Sequence, residues 1–352
     1  MTRTPTLTDD LDTSPHDEVI DVRSPSEYAE DHIPGAISLP VLDDAERARV
    51  GTIYKQESPF AARKLGAALI SRNIAAHIDA HFAEKDGGYR PLVYCWRGGQ
   101  RSGSMATILA AIGWRVCVLD GGYRRYRRHV TERLYEDRPG WRFRVIGGLT
   151  GTAKTRLLHA LAEAGEPVLD LEGLANHKGS LLGRHPTAPQ PAQKMFESGI
   201  LAALDAVEPG RTIWVESESS KVGNLTVPPA VWAAMQAAPV VEIAAPLPAR
   251  VAHILDDYAY FLEMPERVAE TLAPLAAMHG HETLDRWRAL IATRQWPTLV
   301  EALLVEHYDP AYRRSLRREG RTFAGRIDVP DLSPATLAAL AARLRDSVRE
   351  PA

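Results

Sequence analysis

The sequence predicts an α/β chain: two successive parallel sheets, each covered by helices, followed by C-terminal helices. Three observations carry this. Short apolar runs alternate with helical stretches between Glu18 and Ala244. Two of those runs end in glycine-rich loops that open directly into helices. Beyond Leu247, leucine, tryptophan and alanine recur at three- and four-residue spacing. Strands that alternate with helices build parallel sheets with helices on their faces.

In order, after a polar leader, Glu18 to Arg23 reads as a buried strand. Lys64 to Phe82 reads as a helix, because Ile70, Ile74, Ile78 and Phe82 fall on one face. Arg90 to Tyr94 is a strand that runs into Cys95, Gly103 to Ile112 a small-residue helix, and Trp114 to Leu119 a strand. The segment Arg133 to Arg142 contains Asp-Arg-Pro-Gly and is expected to be a linker, with a boundary near residue 138. A second series starts with the strand Arg142 to Ile146 and a helix from Lys154 to Ala164. Further strands are expected at Pro167 to Leu171, Thr212 to Glu216 and Val240 to Ala244, and only helices after Leu247. The expected domains are 1–138, 139–270 and a helical extension over 271–352.

Composition narrows the functional classes. Of 352 residues, 45% are apolar and 25% charged, as in an ordinary globular protein. Two cysteines cannot build a disulfide framework or a four-thiolate metal site. The first residues are polar and acidic, unlike a signal peptide, and no run of about 18 apolar residues occurs. A cytoplasmic protein is the expectation. The net charge of −3 averages arginine-dense segments with acidic ones.

The first chemical signal is Tyr94-Cys-Trp-Arg-Gly-Gly-Gln-Arg-Ser102, between a strand and a helix. Such a loop turns backbone N–H groups inward and adds the positive end of the following helix. That setting stabilises a thiolate or a bound oxyanion at Cys95. Gly98 and Gly99 permit the curl, and Arg97 and Arg101 can bond an anion. The bland reading is a structural buried thiol. Cys117 has no cationic loop and reads as core.

With Asp21-Val-Arg23 and Asp31-His-Ile-Pro-Gly-Ala36, this loop resembles a rhodanese domain. The resemblance implies that Cys95 carries a chalcogen. Five residues separate Cys95 from Arg101, one more than sulfur-transferring rhodaneses usually have. The longer loop is similar to that of rhodanese-fold phosphatases, whose cradle admits a tetrahedral anion.

The second signal is Gly147-Gly-Leu-Thr-Gly-Thr-Ala-Lys-Thr155, which follows a strand and opens a helix. Backbone N–H groups around phosphate oxygens, a lysine and a hydroxyl are what a phosphate loop requires. Gly148, Thr150, Gly151, Thr152, Ala153, Lys154 and Thr155 are the candidate phosphate-binding residues. Ala153 replaces the usual glycine before the lysine. Its methyl is tolerable on a helical backbone and costly at positive φ. Asp170, Glu172, His177, Glu216 and Glu218 follow later strands, where open α/β sheets place polar ligand groups. Caps of helices or turns are the alternative for each.

The pairing of the two loops resembles the tRNA 2-selenouridine synthase family. The likeness runs through Pro40 to Gln56, Cys95 to Gly99, Leu171 to Leu174 with His177 to Ser180, and Trp214 to Ser219. It implies that wobble 2-thiouridine is S-geranylated by geranyl diphosphate, after which selenium from selenophosphate displaces the S-geranyl group. It implies a selenophosphate cradle of Trp96, Gly98, Gly99, Gln100 and Ser102 around Cys95, with Arg97 and Arg101 stabilising the departing phosphate. It implies tRNA and a selenophosphate supplier as partners, no tightly bound cofactor, and Mg²⁺ as an optional ion.

Tyr123-Arg-Arg-Tyr-Arg-Arg-His129 interleaves aromatics with Arg124, Arg125, Arg127 and Arg128, a candidate tRNA surface. Arg313, Arg314, Arg317, Arg318 and Arg321 form a second cluster. His77 and His81 flank the isoleucine stripe and read as helix surface; His279 and His281 receive no role, and no metal centre is assigned. Two other classes compete: an ATP-dependent kinase fused to a sulfurtransferase, and a non-enzymatic rhodanese-like scaffold.

Overall fold

The structure, a computed structural model, describes residues 3–136, 140–180, 182–184, 188–319 and 322–349, with 315–319, 348 and 349 described by backbone alone. The boundary expected near residue 138 lies outside them, as do Arg321 and the side chains of Arg317 and Arg318. The chain divides into two compact units, one built on residues up to Glu136 and the other on nearly all the remainder.

The first unit holds a five-stranded parallel sheet. Its strands are β1 (Thr6–Thr8), β2 (Glu18–Asp21), β3 (Ile37–Ser38), β4 (Pro91–Tyr94) and β5 (Cys117–Leu119), in the order β1-β5-β4-β2-β3. All four residues of the central β4 are buried, which is why its sequence is apolar without alternation. The register sets Val19 opposite Leu92 and Ile20 opposite Val93. The helix expected from Lys64 starts earlier and spans Pro59–Ala80. Ser58 Oγ accepts from the Phe60 and Ala61 N–H groups and starts it there. Ile70 and Ile74 face the core as expected. His77 and His81 serve structure: one ring nitrogen lies 2.9 Å from the Pro40 carbonyl oxygen, the other 2.7 Å from Glu18.

Two expectations in this unit need correction. β1 was hidden in the polar leader, because a three-residue edge strand needs no apolar stripe. Cys117 is half-buried in β5 rather than a core residue, since only short β1 flanks β5 on that side.

The second unit holds another five-stranded parallel sheet, with a short hairpin outside it. Its strands are β6 (Arg142–Gly147), β7 (Val168–Leu169), β8 (Thr212–Glu216), the hairpin pair β9 (Lys221–Val222) and β10 (Leu225–Thr226), β11 (Val240–Ala244) and β12 (Phe323–Asp328). The sheet order is β12-β11-β6-β8-β7, which puts β6 at the centre. The helix Lys154–Glu163 buries Leu157, Leu158 and Leu161 in a core that includes Trp214, Ile243, Leu337 and Leu340. The purely helical reading beyond Leu247 is corrected by β12, which pairs with β11 and is exposed at most positions. The helices between them gather a separate core around Phe261, Leu272, Leu284, Trp287 and Leu303. No helix among the described residues is long and apolar enough to cross a membrane.

Candidate functional site

Each central strand delivers one loop. In the first unit β4 runs into Cys95, which is buried, and the loop curls back into the helix Gln100–Ile112. Gly98 has φ +69°, and a Cβ there would meet the Leu119 carbonyl oxygen at 2.7 Å. The stricter glycine is Gly122 (φ +54°), where a Cβ would sit 2.3 Å from the Cys95 carbonyl oxygen. That close approach lets the Tyr123 N–H donate to the Cys95 carbonyl and the Arg124 N–H to that of Trp96, at 2.8 and 3.1 Å. The helix Gly122–Thr131 thereby braces the loop from behind.

The Cys95 sulfur accepts a hydrogen bond from Ser102 Oγ at 3.2 Å. Burial opposes ionisation of the thiol. The Ser102 hydroxyl and N–H, the Arg97 N–H and the Arg101 charge outweigh it, so Cys95 lies below the ordinary thiol range. Arg101 acts at a distance: its guanidinium donates to Glu27 at 2.7 Å, and Glu27 also accepts from Arg47 and the Ser24 N–H. Arg97, Gly99 and Gln100 are exposed at the loop's rim, and Trp96 packs on Tyr123 with ring centroids 5.2 Å apart. The two other rhodanese-like segments are scaffold. Arg23 is buried, ion-paired to Asp21 at 2.6 Å and stacked over Tyr123, and it donates to the Asp31 carbonyl.

In the second unit the loop after β6 carries three positive φ angles: Gly148 (149°), Gly151 (82°) and Ala153 (58°). Ala153 therefore adopts the costly conformation of the two foreseen, at about 1–2 kcal/mol. The loop is held from outside. Arg250 Nε donates to the Thr150 carbonyl at 2.8 Å, while its guanidinium pairs with Asp309 at 2.6 Å. The Gly148 N–H donates to Tyr312 Oη at 2.9 Å, and Thr152 Oγ1 donates to the Leu149 carbonyl. Lys154 Nζ reaches the Gly148 carbonyl at 3.3 Å.

Thr155 Oγ1 lies 3.0 Å from both Glu172 Oε2 and Glu216 Oε2. With Glu218, these carboxylates offer oxygens that all lie within 4.8 Å of one another. Burial, then mutual repulsion, pushes Glu172 up to about 8 and Glu216 well above the carboxylate range. Burial also raises Glu218, against the pull of Lys154. Glu216 Oε1 is buried with no hydrogen-bond partner. Clustered hard oxygen donors, one of them unsatisfied, fit Mg²⁺.

The five polar residues expected here divide. Glu172, Glu216 and Glu218 line the cavity at Lys154 and Thr155. Asp170 caps the next helix by accepting from the Gly173 N–H at 2.7 Å, and it pairs with His159. With His177 it lines an adjoining cavity. The arginine cluster divides too. Arg124 and Arg128 are exposed on one helix face, whereas Arg125 is engaged by Asp9 at 2.7 Å and Arg127 lies 3.9 Å from Asp31. Sequence reasoning missed Glu27, Arg250 and Tyr312. Each acts across at least 74 residues of chain, and no local pattern marks it.

Both parts of the chain match known families. Residues 4–129 match the family described as rhodanese-like domain, and residues 141–282 match the tRNA 2-selenouridine synthase AAA domain. A protein of Pseudomonas putida (strain GB-1), called tRNA 2-selenouridine synthase, is 34% identical over 87% of this chain and 90% of its own length. One of the same name from Bordetella bronchiseptica is 34% identical over 87% and 91%. Another from Shewanella halifaxensis is 30% identical over 86% and 89%.

Proposed function

The chain belongs to the tRNA 2-selenouridine synthase family of enzymes, and from that premise we propose that it selenates wobble 2-thiouridine in two steps, geranylation and then exchange. The observation that carries this reading is that one chain holds two differently built strand-to-helix loops, each suited to an anion. One has an ionisable thiol at its base, and the other is a phosphate loop facing three glutamates.

In the first step the sulfur of 2-thiouridine attacks C1 of geranyl diphosphate. The S–C bond forms, the C–O bond breaks, diphosphate leaves with the electron pair, and the base releases its N3 proton. The loop N–H groups and Lys154 take up the charge of the leaving diphosphate. Thr155 with Glu172, Glu216 and Glu218 would hold Mg²⁺, which supplies further neutralisation of diphosphate. Strain at Ala153 is compatible with a diphosphate head that does not have to be hydrolysed.

In the second step the Cys95 thiolate attacks phosphorus of selenophosphate. The S–P bond forms and the P–Se bond breaks, so that hydroselenide departs. Hydroselenide adds at C2 of the geranylated base, its proton passes to N3, and geranylthiolate leaves. Water then cleaves the S–P bond to release phosphate and restore the thiol. The N–H groups around Cys95 and the positive charge of Arg97 and Arg101 stabilise the phosphoryl oxygens.

The test is mass spectrometry of wobble nucleosides after incubating 2-thiouridine tRNA with geranyl diphosphate and selenophosphate. Cys95→Ala should keep the S-geranyl nucleoside and lose 2-selenouridine. Undiminished selenium incorporation in that variant would remove Cys95 from the mechanism. Phosphate transfer from ATP to a small acceptor would favour the kinase reading.

A further inference from the structure

Beside the phosphate loop lies a second cavity whose walls are almost all carbon, among them Leu255, Phe261, Leu262, Trp296, Val300 and Leu303. Thr150, Ser180, Ile254, Tyr258 and Tyr308 line both this cavity and the one at Lys154, so the two share a wall. Phe261 and Leu303 are buried, but Leu255, Leu262, Trp296 and Val300 are only half-buried despite their size. Large apolar side chains left uncovered around a concavity mark a place for an apolar ligand.

The neighbouring polarity identifies the kind of molecule. A purine in this slot would bury ring nitrogens and an amino group against carbon, and an unpaired buried polar group is costly. A hydrocarbon meets no such penalty. We infer that the slot receives the hydrocarbon tail of a diphosphate ester whose head lies on the phosphate loop, and that it selects the ester by tail length. The ester bond then falls at the shared wall, by Ser180, Tyr258 and Tyr308, where Ser180 Oγ and Tyr258 Oη are 3.0 Å apart. This inference rests on the reading of the loop as a diphosphate site, and it adds which residues choose the substrate.

Equilibrium binding to the full chain separates the two. The probes are inorganic diphosphate, dimethylallyl diphosphate and geranyl diphosphate, each with Mg²⁺. Geranyl diphosphate should bind roughly tenfold or more tightly than dimethylallyl diphosphate, through its extra buried carbons. Val300→Trp and Leu262→Trp, on two different helices, should erase that preference and leave inorganic diphosphate binding unchanged. Retained inorganic diphosphate binding also shows that a variant is folded. Equal binding of the two esters to the unaltered chain overturns the inference, as does unchanged geranyl diphosphate affinity in the folded variants. Failure of the unaltered chain to bind inorganic diphosphate or either ester overturns the underlying diphosphate reading instead.

Discussion

The Thr155 hydroxyl and the Glu216 carboxylate lie 3.0 Å apart although 61 residues separate them. Parallel pairing of β6 with β8 sets Ile146 opposite Glu216, so the carboxylate stands at the strand end just where the phosphate loop departs. Glu172 reaches the same hydroxyl from the helix after β7. Three carboxyl groups thus crowd one buried spot, and their mutual repulsion is a measurable property.

That crowding should make stability fall as pH rises. Burial and the Glu218 charge lift Glu172 from 4.5 to about 8 in the folded state. Between those values the folded protein keeps a proton that the unfolded chain has released, so raising the pH favours unfolding. Thermal melts should show a falling Tm across that window, a flatter profile in Glu172→Gln, and recovery with Mg²⁺. A Tm that rises across the window in the metal-free protein would contradict the arrangement.

Ala153→Gly should not weaken the protein. It relieves a left-handed alanine worth about 1–2 kcal/mol and gives back about 0.4–1 kcal/mol through the freer unfolded chain. The expected outcome of urea denaturation is a gain of about 0.5–1 kcal/mol. A loss larger than about 1 kcal/mol would mean that the methyl makes contacts outweighing the strain.

Gly122→Ala should damage the thiol loop selectively. Its methyl would meet the Cys95 carbonyl oxygen at 2.3 Å, which forces the loop and the bracing helix apart. A cost of about 2–4 kcal/mol is expected, from overpacking plus positive φ. 2-Selenouridine formation should drop at least tenfold while S-geranylation persists. Selenation at the normal rate would show that the close approach is dispensable.

Cys95 should be alkylated by iodoacetamide at neutral pH faster than Cys117. Ser102→Ala removes a hydrogen bond to the sulfur and should move the midpoint of the alkylation pH profile upward. An unmoved midpoint would transfer the effect to the loop N–H groups and Arg101.

Charge reversal at Arg124 and Arg128 should weaken tRNA binding and reduce its salt slope by about 1 per lost phosphate contact. Reversal at Arg125, which Asp9 already engages, should matter less. Equal effects at all three positions would favour a diffuse field over a defined surface.

Both loops were legible because each is a local device. Strand, glycine turn, basic residue and hydroxyl lie within nine consecutive positions, and loops of this kind act through their backbone N–H groups. Central strand β4 was legible because burial on both faces makes it continuously apolar, and β6 because its buried Phe143, Val145 and Ile146 run straight into a glycine turn. Edge strands β1 and β12 were not, because pairing on one side through backbone hydrogen bonds makes little demand on side chains.

The cluster at Arg124 to Arg128 was sorted only by the fold. Partners such as Asp9 and Asp31 come from distant strand ends and loops, and only they decide which arginines face solvent unengaged. The same holds for Glu27 on Arg101, for Arg250 and Tyr312 on the phosphate loop, and for the apolar slot beside it. The sequence by itself determined which groups could do chemistry, because those patterns are written in backbone geometry a few residues long. Tertiary structure alone decided the company they keep, because burial, charge and cavity shape are sums over residues that meet only when the chain is folded.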